Sequence, residues 1–447
     1  MGLVDEVLKN VDPKVVQRQL NANEVLFKEE ISLSSLTTLL NIEEDSLTPP
    51  NYSPLAPKLF RGKGAIVMDI EGNKYYDCLS GYSAVNQGHN HPDIKQAMKD
   101  FIDEDFLPLT SRAFRHGFFN AFLKEATTFS GTEMLLPMNT GAEAVETTIK
   151  LARLWGYEVK GIPINQAKIG VCEGNFHGRT TTIVGMSDDP VARGKFGPFT
   201  PGFEILPYGN LKALENFLKD PTVAAILLEP IQGEAGVIVP PEGYLAGVRE
   251  LTTKKDVLFI ADEIQTGFGR TGKDFACQHE NVIPDLYAVG KALSGGFYPI
   301  SGVLGSSELL SLFTPGSHGS TYGGNPLASL IGTAALRVIK DEKLSEQSAE
   351  KGEYLKNKFK DTFRDVDGIK EIRGKGLMVA IEFEKEIAHP VVEALVSYGI
   401  LAKDTHSTTI RFTPPLVTTK DQLDDIVDRV GMVVNKNLYR NIEQYMH

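Results

Sequence analysis

Lys291 follows the apolar run Leu286-Tyr-Ala-Val289 and precedes Ala292-Leu-Ser-Gly-Gly296, which puts an amine at the end of a predicted strand. Ligands of α/β sheets collect at such ends, although a single strand-end lysine is more often plain surface charge. Asp262 closes a second apolar run, Val257-Leu-Phe-Ile-Ala261, so a carboxylate is delivered to the edge of a buried sheet. Burial would raise its pKa, and an ionised aspartate there needs a cationic partner; taken alone it reads as a turn former or helix cap. Thr140-Gly-Ala142 precedes a predicted helix, so the backbone amides of Gly141 and Ala142 can point at an anion with the helix dipole behind them. An aldehyde cofactor held through an imine requires an unprotonated lysine, an acid facing a protonated ring nitrogen, donors for a phosphate and a flat cover for the ring. The chain offers a candidate for each.

Other glycine-rich signals are weaker. Gly267-Phe-Gly-Arg-Thr-Gly272 matches the dinucleotide pattern G-x-G-x-x-G, and with Lys273 it approaches a phosphate-binding loop. A dinucleotide site needs that loop to open a helix, yet the chain soon reaches Pro284. A nucleotide loop needs a hydroxyl where Asp274 stands, and a carboxylate there would repel phosphate. A glycine-rich surface turn is the expectation.

The elements that must position these groups are legible as an alternation. From about Gly131 to Gly305, short apolar runs alternate with amphipathic helices, the form of an α/β domain with a largely parallel sheet covered on both faces. Predicted strands are Met134–Pro137, Lys168–Cys172, Ala224–Leu228, Val257–Ala261 and Leu286–Val289. The helix predicted over Gly141–Gly156 carries Val145, Ile149, Ala152 and Trp155 on one stripe, which should pack on the sheet. Further on, Gly376–Phe383 is strand-like and Asp421–Asn437 reads as a closing helix. The first fifty or so residues have helical periodicity that breaks at Leu47-Thr-Pro-Pro-Asn51, and no internal repeat is evident. The expected organisation is an N-terminal arm with part of a small domain over 1–70, a large domain over 71–330 and a smaller C-terminal α+β domain over 331–447.

Composition bounds the partners. A net charge of -12 repels a nucleic-acid backbone. The apolar runs fall short of the ~20 residues a membrane helix needs. Cys78, Cys172 and Cys277 are odd in number and in no metal-ligand spacing, so free thiols in a reducing compartment and no metal centre are expected. The N-terminus fits no secretory or transit signal, and Glu6 stands where a myristoylation motif wants Ser or Thr. Together these place the protein in the cytoplasm.

The residues also carry a family resemblance. Leu258-Phe-Ile-Ala-Asp-Glu-Ile-Gln-Thr-Gly-Phe-Gly-Arg-Thr-Gly272 followed by Pro284-Asp-Leu-Tyr-Ala-Val-Gly-Lys-Ala-Leu-Ser-Gly-Gly296 resembles the signature of the class III aminotransferases of pyridoxal-phosphate (PLP) fold type I. The likeness sharpens towards the ornithine aminotransferases from Asn51 to about Asp428, through Gly81-Tyr-Ser-Ala-Val-Asn-Gln-Gly-His89, Thr110-Ser-Arg-Ala-Phe114, Pro137-Met-Asn-Thr-Gly141, Gly174-Asn-Phe-His-Gly-Arg179, Glu229-Pro-Ile-Gln-Gly-Glu-Ala-Gly236, His318-Gly-Ser-Thr-Tyr-Gly-Gly-Asn-Pro326 and Arg411-Phe-Thr-Pro-Pro415. It implies a large domain with a seven-stranded type of mostly parallel sheet, and a smaller α+β domain.

Position by position, the resemblance implies Lys291 as the Schiff-base lysine and proton carrier, Asp262 at the pyridine nitrogen, Gln265 at the ring hydroxyl and Phe176 stacked on the ring. Gly141 and Ala142 would take the phosphate, joined by Thr321 from a neighbouring subunit, which makes a homodimer with shared active sites. The substrates implied are an amino acid and a 2-oxo acid. Arg179 would pair with the distal carboxylate and Arg411 with the α-carboxylate of glutamate or 2-oxoglutarate, with Glu234 masking Arg411 when ornithine binds. Tyr52 and Tyr82 would hold the α-amino end of ornithine. His177 is expected to line the pocket at most, since Lys291 supplies the base. Acetylornithine, lysine and 4-aminobutyrate aminotransferases, or an amino-acid racemase, are the related alternatives.

Overall fold

A computed structural model of the protein describes residues 47–435. The helical periodicity expected before residue 47 therefore lies outside the described residues. At 47–51 the chain is non-helical, as Pro49 and Pro50 require.

Strands β1 (Leu59–Lys63), β2 (Ile66–Asp69) and β3 (Lys74–Asp77) form an antiparallel meander. Next come β4 (Met134–Met138), β5 (Lys168–Cys172), β6 (Phe203–Leu206), β7 (Val223–Leu228), β8 (Leu258–Asp262), β9 (Leu286–Val289) and β10 (Ser301–Gly305). These seven build one sheet in the order β4-β10-β9-β8-β7-β5-β6. The pairs β9/β8, β8/β7, β7/β5 and β5/β6 are parallel, and β10 runs antiparallel between β4 and β9.

Side chains alternate between the two faces of this sheet because the strand period is two. Ala225, Leu227, Leu258, Ile260, Leu286 and Ala288 pack on one face with the helix α1 (Gly141–Glu158). Ile226, Leu228, Phe259, Ala261, Tyr287 and Val289 belong to the core on the other. The stripe predicted for α1 is buried throughout, at Val145, Ile149, Ala152 and Trp155. Both faces are thus covered, which explains why the central strands read as continuous apolar runs.

Farther along, α2 (Pro326–Asp341) and α3 (Leu344–Thr362) lead into the hairpin β11 (Ile369–Lys375) and β12 (Met378–Phe383). β12 pairs with β15 (Thr409–Phe412), which pairs with β14 (Lys403–Thr405). The intervening β13 (Ile400–Leu401) leaves this sheet and joins β3 in parallel, tying residues far apart in the chain. The last helix, α4 (Lys420–Val433), ends before the Asn437 expected, and residues beyond 435 lie outside the described set. Among the described residues no helix is long and apolar enough to cross a membrane.

All five strands predicted between Gly131 and Gly305 are present within a residue or so of their expected bounds, and the strand-like Gly376–Phe383 contains β12, but β6 and β10 of the same sheet, and β1–β3, β11 and β13–β15 elsewhere, were not foreseen. β10 is masked by its glycines: a Cβ on Gly302 would sit 2.8 Å from the Leu136 carbonyl oxygen, so the close approach of β4 requires a residue with poor strand propensity.

The turn over 267–272 corrects the expectation of a surface feature. It is a turn, but it is buried, and Arg270 within it has no exposed surface. Arg270 Nη1 donates to the carbonyls of Leu377 (2.8 Å) and Pro414 (2.7 Å), and Nε and Nη2 donate to Asn86 Oδ1 at 3.1 and 2.6 Å. Burial lowers its pKa to about 9, with Asp77 opposing. The glycines let the backbone fold tightly around one cation that pins three distant segments. Replacing Arg270 with Ala leaves these acceptors unpaired, and the expected loss of stability is at least ~3 kcal/mol; denaturant unfolding that finds less than about 1 kcal/mol would contradict this reading.

Candidate active site

The carboxyl ends of parallel strands gather the polar groups. Glu229 follows β7 directly, Asp262 ends β8, and Lys291 lies just past β9, so two acids and an amine stand on three neighbouring strands. Adjacent strands are only about 4.8 Å apart, so these groups share one dehydrated edge. The loop after β5 adds Phe176 and His177, and the turn after β4 adds Gly141 and Ala142 at the start of α1. All line one cavity of about 200 Å³, together with Gln265.

Each group is held by its surroundings. Lys291 adopts φ +44°, a left-handed conformation that lysine rarely takes, as the chain turns from β9 into a 3₁₀ turn over Lys291–Ser294. Burial pushes its amine below the ordinary lysine range, against the opposing pull of Glu234, Asp262 and Glu229. Asp262 is 4% exposed; its Oδ2 lies 2.7 Å from His177 Nδ1 and its Oδ1 accepts from the Ile264 N–H at 3.1 Å. Burial pulls the His177 imidazole down, but its bond to Asp262 and that carboxylate's charge prevail and raise it. His177 is therefore bound to the acid of the site, beyond the lining role expected of it. Burial pushes Glu229 up to about 7, with Asp262 adding to the rise and His177 and two backbone N–H groups opposing it.

Gln265 lies against Gly233 so closely that a Cβ there would fall 1.8 Å from its Oε1; only glycine admits the amide at that point. At α1, Thr140 and Glu143 form a reciprocal capping box, which serves the amides of Glu143, Asn139 and Thr140. The N–H groups of Gly141 and Ala142, in the first turn, have no acceptor within the helix and border the cavity. A neutralisable lysine, a buried acid opposite it, first-turn amides and an aromatic wall fit a phosphate-bearing pyridine aldehyde.

A second cavity of about 470 Å³ adjoins the first through Phe176, His177 and Gly178, and is bordered by Arg179, Glu234, Asp188, Asp189 and Thr405. Arg179 lies over the Phe176 ring at 5.1 Å and near Asp189 at 3.9 Å. Arg411, on β15, is 2% exposed and grips Glu234 with both terminal nitrogens, Nη1 to Oε1 at 2.7 Å and Nη2 to Oε2 at 3.2 Å. Burial raises the Glu234 carboxyl, but Arg411 above all, with Lys291 and Arg179, holds it below its usual value. Tyr82 sits with its ring 5.7 Å from the Arg411 guanidinium; burial, then Glu234, raises its hydroxyl pKa. Tyr52 is 75% exposed and borders neither cavity, although its hydroxyl acts electrostatically on Tyr82. Thr321 is exposed and also borders neither cavity.

Of the residues singled out in the sequence, Gly141, Ala142, Phe176, His177, Asp262, Gln265 and Lys291 share the first cavity, Arg179 and Glu234 border the second alone, and Arg411 and Tyr82 join through Glu234. Glu229 and the His177 bond were missed. Glu229 carried a signal, since it follows an unbroken apolar strand just as Asp262 ends one; the His177 bond, between residues 85 apart, carried none.

Comparison with known proteins agrees with this geometry. The family model of class-III aminotransferases matches residues 48–434. An ornithine aminotransferase of Brevibacillus brevis is 51% identical over 401 residues, covering 90% of this chain and 99% of the relative. An ornithine aminotransferase of Toxoplasma gondii, crystallised with oxidised glutathione and with PLP partly occupying its active site, superposes with a TM-score of 0.88 at 40% identity over 94% of this chain and 100% of its own. An acetylornithine aminotransferase of Elizabethkingia anophelis gives 0.80 at 45% identity over 91% and 99%. The chain belongs to the class-III aminotransferases, PLP-dependent transferases of fold type I.

Proposed function

We propose that this protein is an ornithine δ-aminotransferase. It moves the terminal amine of L-ornithine to 2-oxoglutarate, giving glutamate and glutamate 5-semialdehyde, which cyclises to pyrroline-5-carboxylate. The observation that carries this reading is the two-pronged grip of Glu234 on a buried Arg411 beside the cavity. A free Arg411 would draw in the α-carboxylate of ornithine and present the wrong amine. With Glu234 in place that cation is masked, and ornithine enters terminal amine first, its α-amino end held by Tyr52 and Tyr82. When 2-oxoglutarate binds, its α-carboxylate replaces Glu234 at Arg411 and its distal carboxylate meets Arg179.

When bound, PLP supplies an aldehyde that takes up the amine and a ring that accepts electrons as the substrate carbon loses its proton. Lys291 would hold the aldehyde at rest and carry the proton released by the substrate carbon. Asp262, anchored by His177, would keep the ring nitrogen protonated. Gln265 would donate to the ring hydroxyl, Phe176 would cover the ring, and the amides of Gly141 and Ala142 would hold the phosphate. Thr321 of the partner subunit would complete the phosphate site, in keeping with its exposed position on this chain. The same reading makes the protein a cytoplasmic homodimer, divided near residues 70 and 330 into arm, large domain and small domain. The likeness to an acetylornithine aminotransferase favours that activity as the alternative.

A panel of amino donors with 2-oxoglutarate separates the two: ornithine should be used far better than N-acetylornithine, and the reverse order would overturn the assignment. Glu234→Ala should unmask Arg411 and lower the ratio of terminal-amine to α-amine transfer by roughly tenfold or more, the effect of about 1.4 kcal/mol. An unchanged ratio would mean that Glu234 does not act as a mask. Because burial disfavours the Lys291 ammonium, the amine is neutral at lower pH than an ordinary lysine. The rate at which apoprotein takes up PLP should therefore rise with a midpoint below the usual ~10.4, and a midpoint at or above that value would contradict the assignment.

A further inference from the structure

Glu229 has no part in the chemistry assigned above, yet it is 5% exposed and accepts from the backbone of two loops. Its Oε1 accepts from the Phe176 N–H at 2.8 Å and its Oε2 from the Gly233 N–H at 3.2 Å. Tyr208 fixes the backbone beneath it, with Oη donating to the carbonyls of Glu229 (3.0 Å) and Pro230 (2.9 Å).

The two N–H groups belong to different loops: one carries Arg179, and the other meets Arg411, which stands on β15. Phe176 underlies Arg179, whose guanidinium lies 5.1 Å from its ring. Gly233 precedes Glu234, which grips Arg411, and its own carbonyl is 3.4 Å from Arg411 Nη1. The same loops are tied a second time, where Gln232 Nε2 donates to the Glu173 carbonyl at 2.6 Å. One carboxylate therefore ties the loop that carries Arg179 to the loop that meets Arg411.

We propose that Glu229 is a positioning residue that braces the 173–179 loop against the 229–236 loop, and so sets the span between Arg179 and Arg411 that measures the length of the dicarboxylic acceptor. This rests on the reading that those two arginines take the two carboxylates of a 2-oxo diacid. A carboxylate suits the task because two backbone donors need two acceptor oxygens. Glutamine keeps the volume but offers one oxygen, and its amide nitrogen cannot accept from the second donor.

Glu229→Gln holoenzyme is compared with wild type using 2-oxoglutarate and its shorter and longer homologues, oxaloacetate and 2-oxoadipate. The inert diacids succinate, glutarate and adipate are titrated against the cofactor absorption band. In the variant, the preference for 2-oxoglutarate over 2-oxoadipate in kcat/KM should fall about tenfold, carried by KM, and the spread of Kd among the inert diacids should narrow equally. The visible band of the bound cofactor should remain, and the loss should differ between acceptors of different length rather than fall equally on all of them. A lower Tm with acceptor and diacid preferences unchanged would make Glu229 merely structural and overturn the proposal. A fall in kcat shared by every acceptor, with KM unchanged, would overturn it by placing Glu229 in the reaction itself. A wild type that binds monocarboxylates as well as diacids would instead overturn the underlying roles of Arg179 and Arg411, whatever the variant does.

Discussion

Ionisable groups buried at the carboxyl edge of one parallel sheet must be paired, and most of this site follows from that requirement. Glu229, Asp262 and Lys291 stand on adjacent strands in a setting where an unpaired charge costs several kcal/mol. Each is answered locally: Asp262 by His177, Glu229 by two backbone donors, Lys291 by being pushed towards its neutral form. A lysine pushed towards its neutral form is what an aldehyde needs, and a buried carboxylate is what a protonated ring nitrogen needs. The chemistry and the electrostatic bookkeeping of the fold are thus one arrangement.

The second constraint is that the site is assembled from separate sheets. Arg411 stands on β15, an inner strand of a different sheet from the one that leads to Lys291, and meets Glu234 beside the cavity. Arg270 acts at a distance to the same end, drawing residues 86, 377 and 414 to one point beneath the turn that follows Asp262. β13 does so again by crossing to β3. These ties let a strand-end lysine and a remote arginine address the same substrate.

Much of this was legible in the residues. Unbroken apolar runs announced the central strands because both faces of the sheet are covered, and each run ended where a functional group began. The helix α1 declared itself through its buried stripe and its threonine cap. What was hidden had physical reasons. β10 is disguised by glycines that a close strand approach demands, and β6 lies at the sheet edge with mixed burial. The turn around Arg270 looked superficial because glycine and arginine usually face solvent; here two backbone carbonyls and the Asn86 side chain supply the acceptors that permit burial. The His177–Asp262 bond joins residues 85 apart, and no local pattern carries such a pairing.

The account depends on one amine among many lysines being the anchor for the cofactor. Borohydride reduction of the PLP-loaded protein, followed by proteolysis and mass spectrometry, reads that directly. The pyridoxyl group should be found on the peptide containing Lys291. Its recovery on another lysine, with Lys291 unmodified, would contradict the assignment of the site.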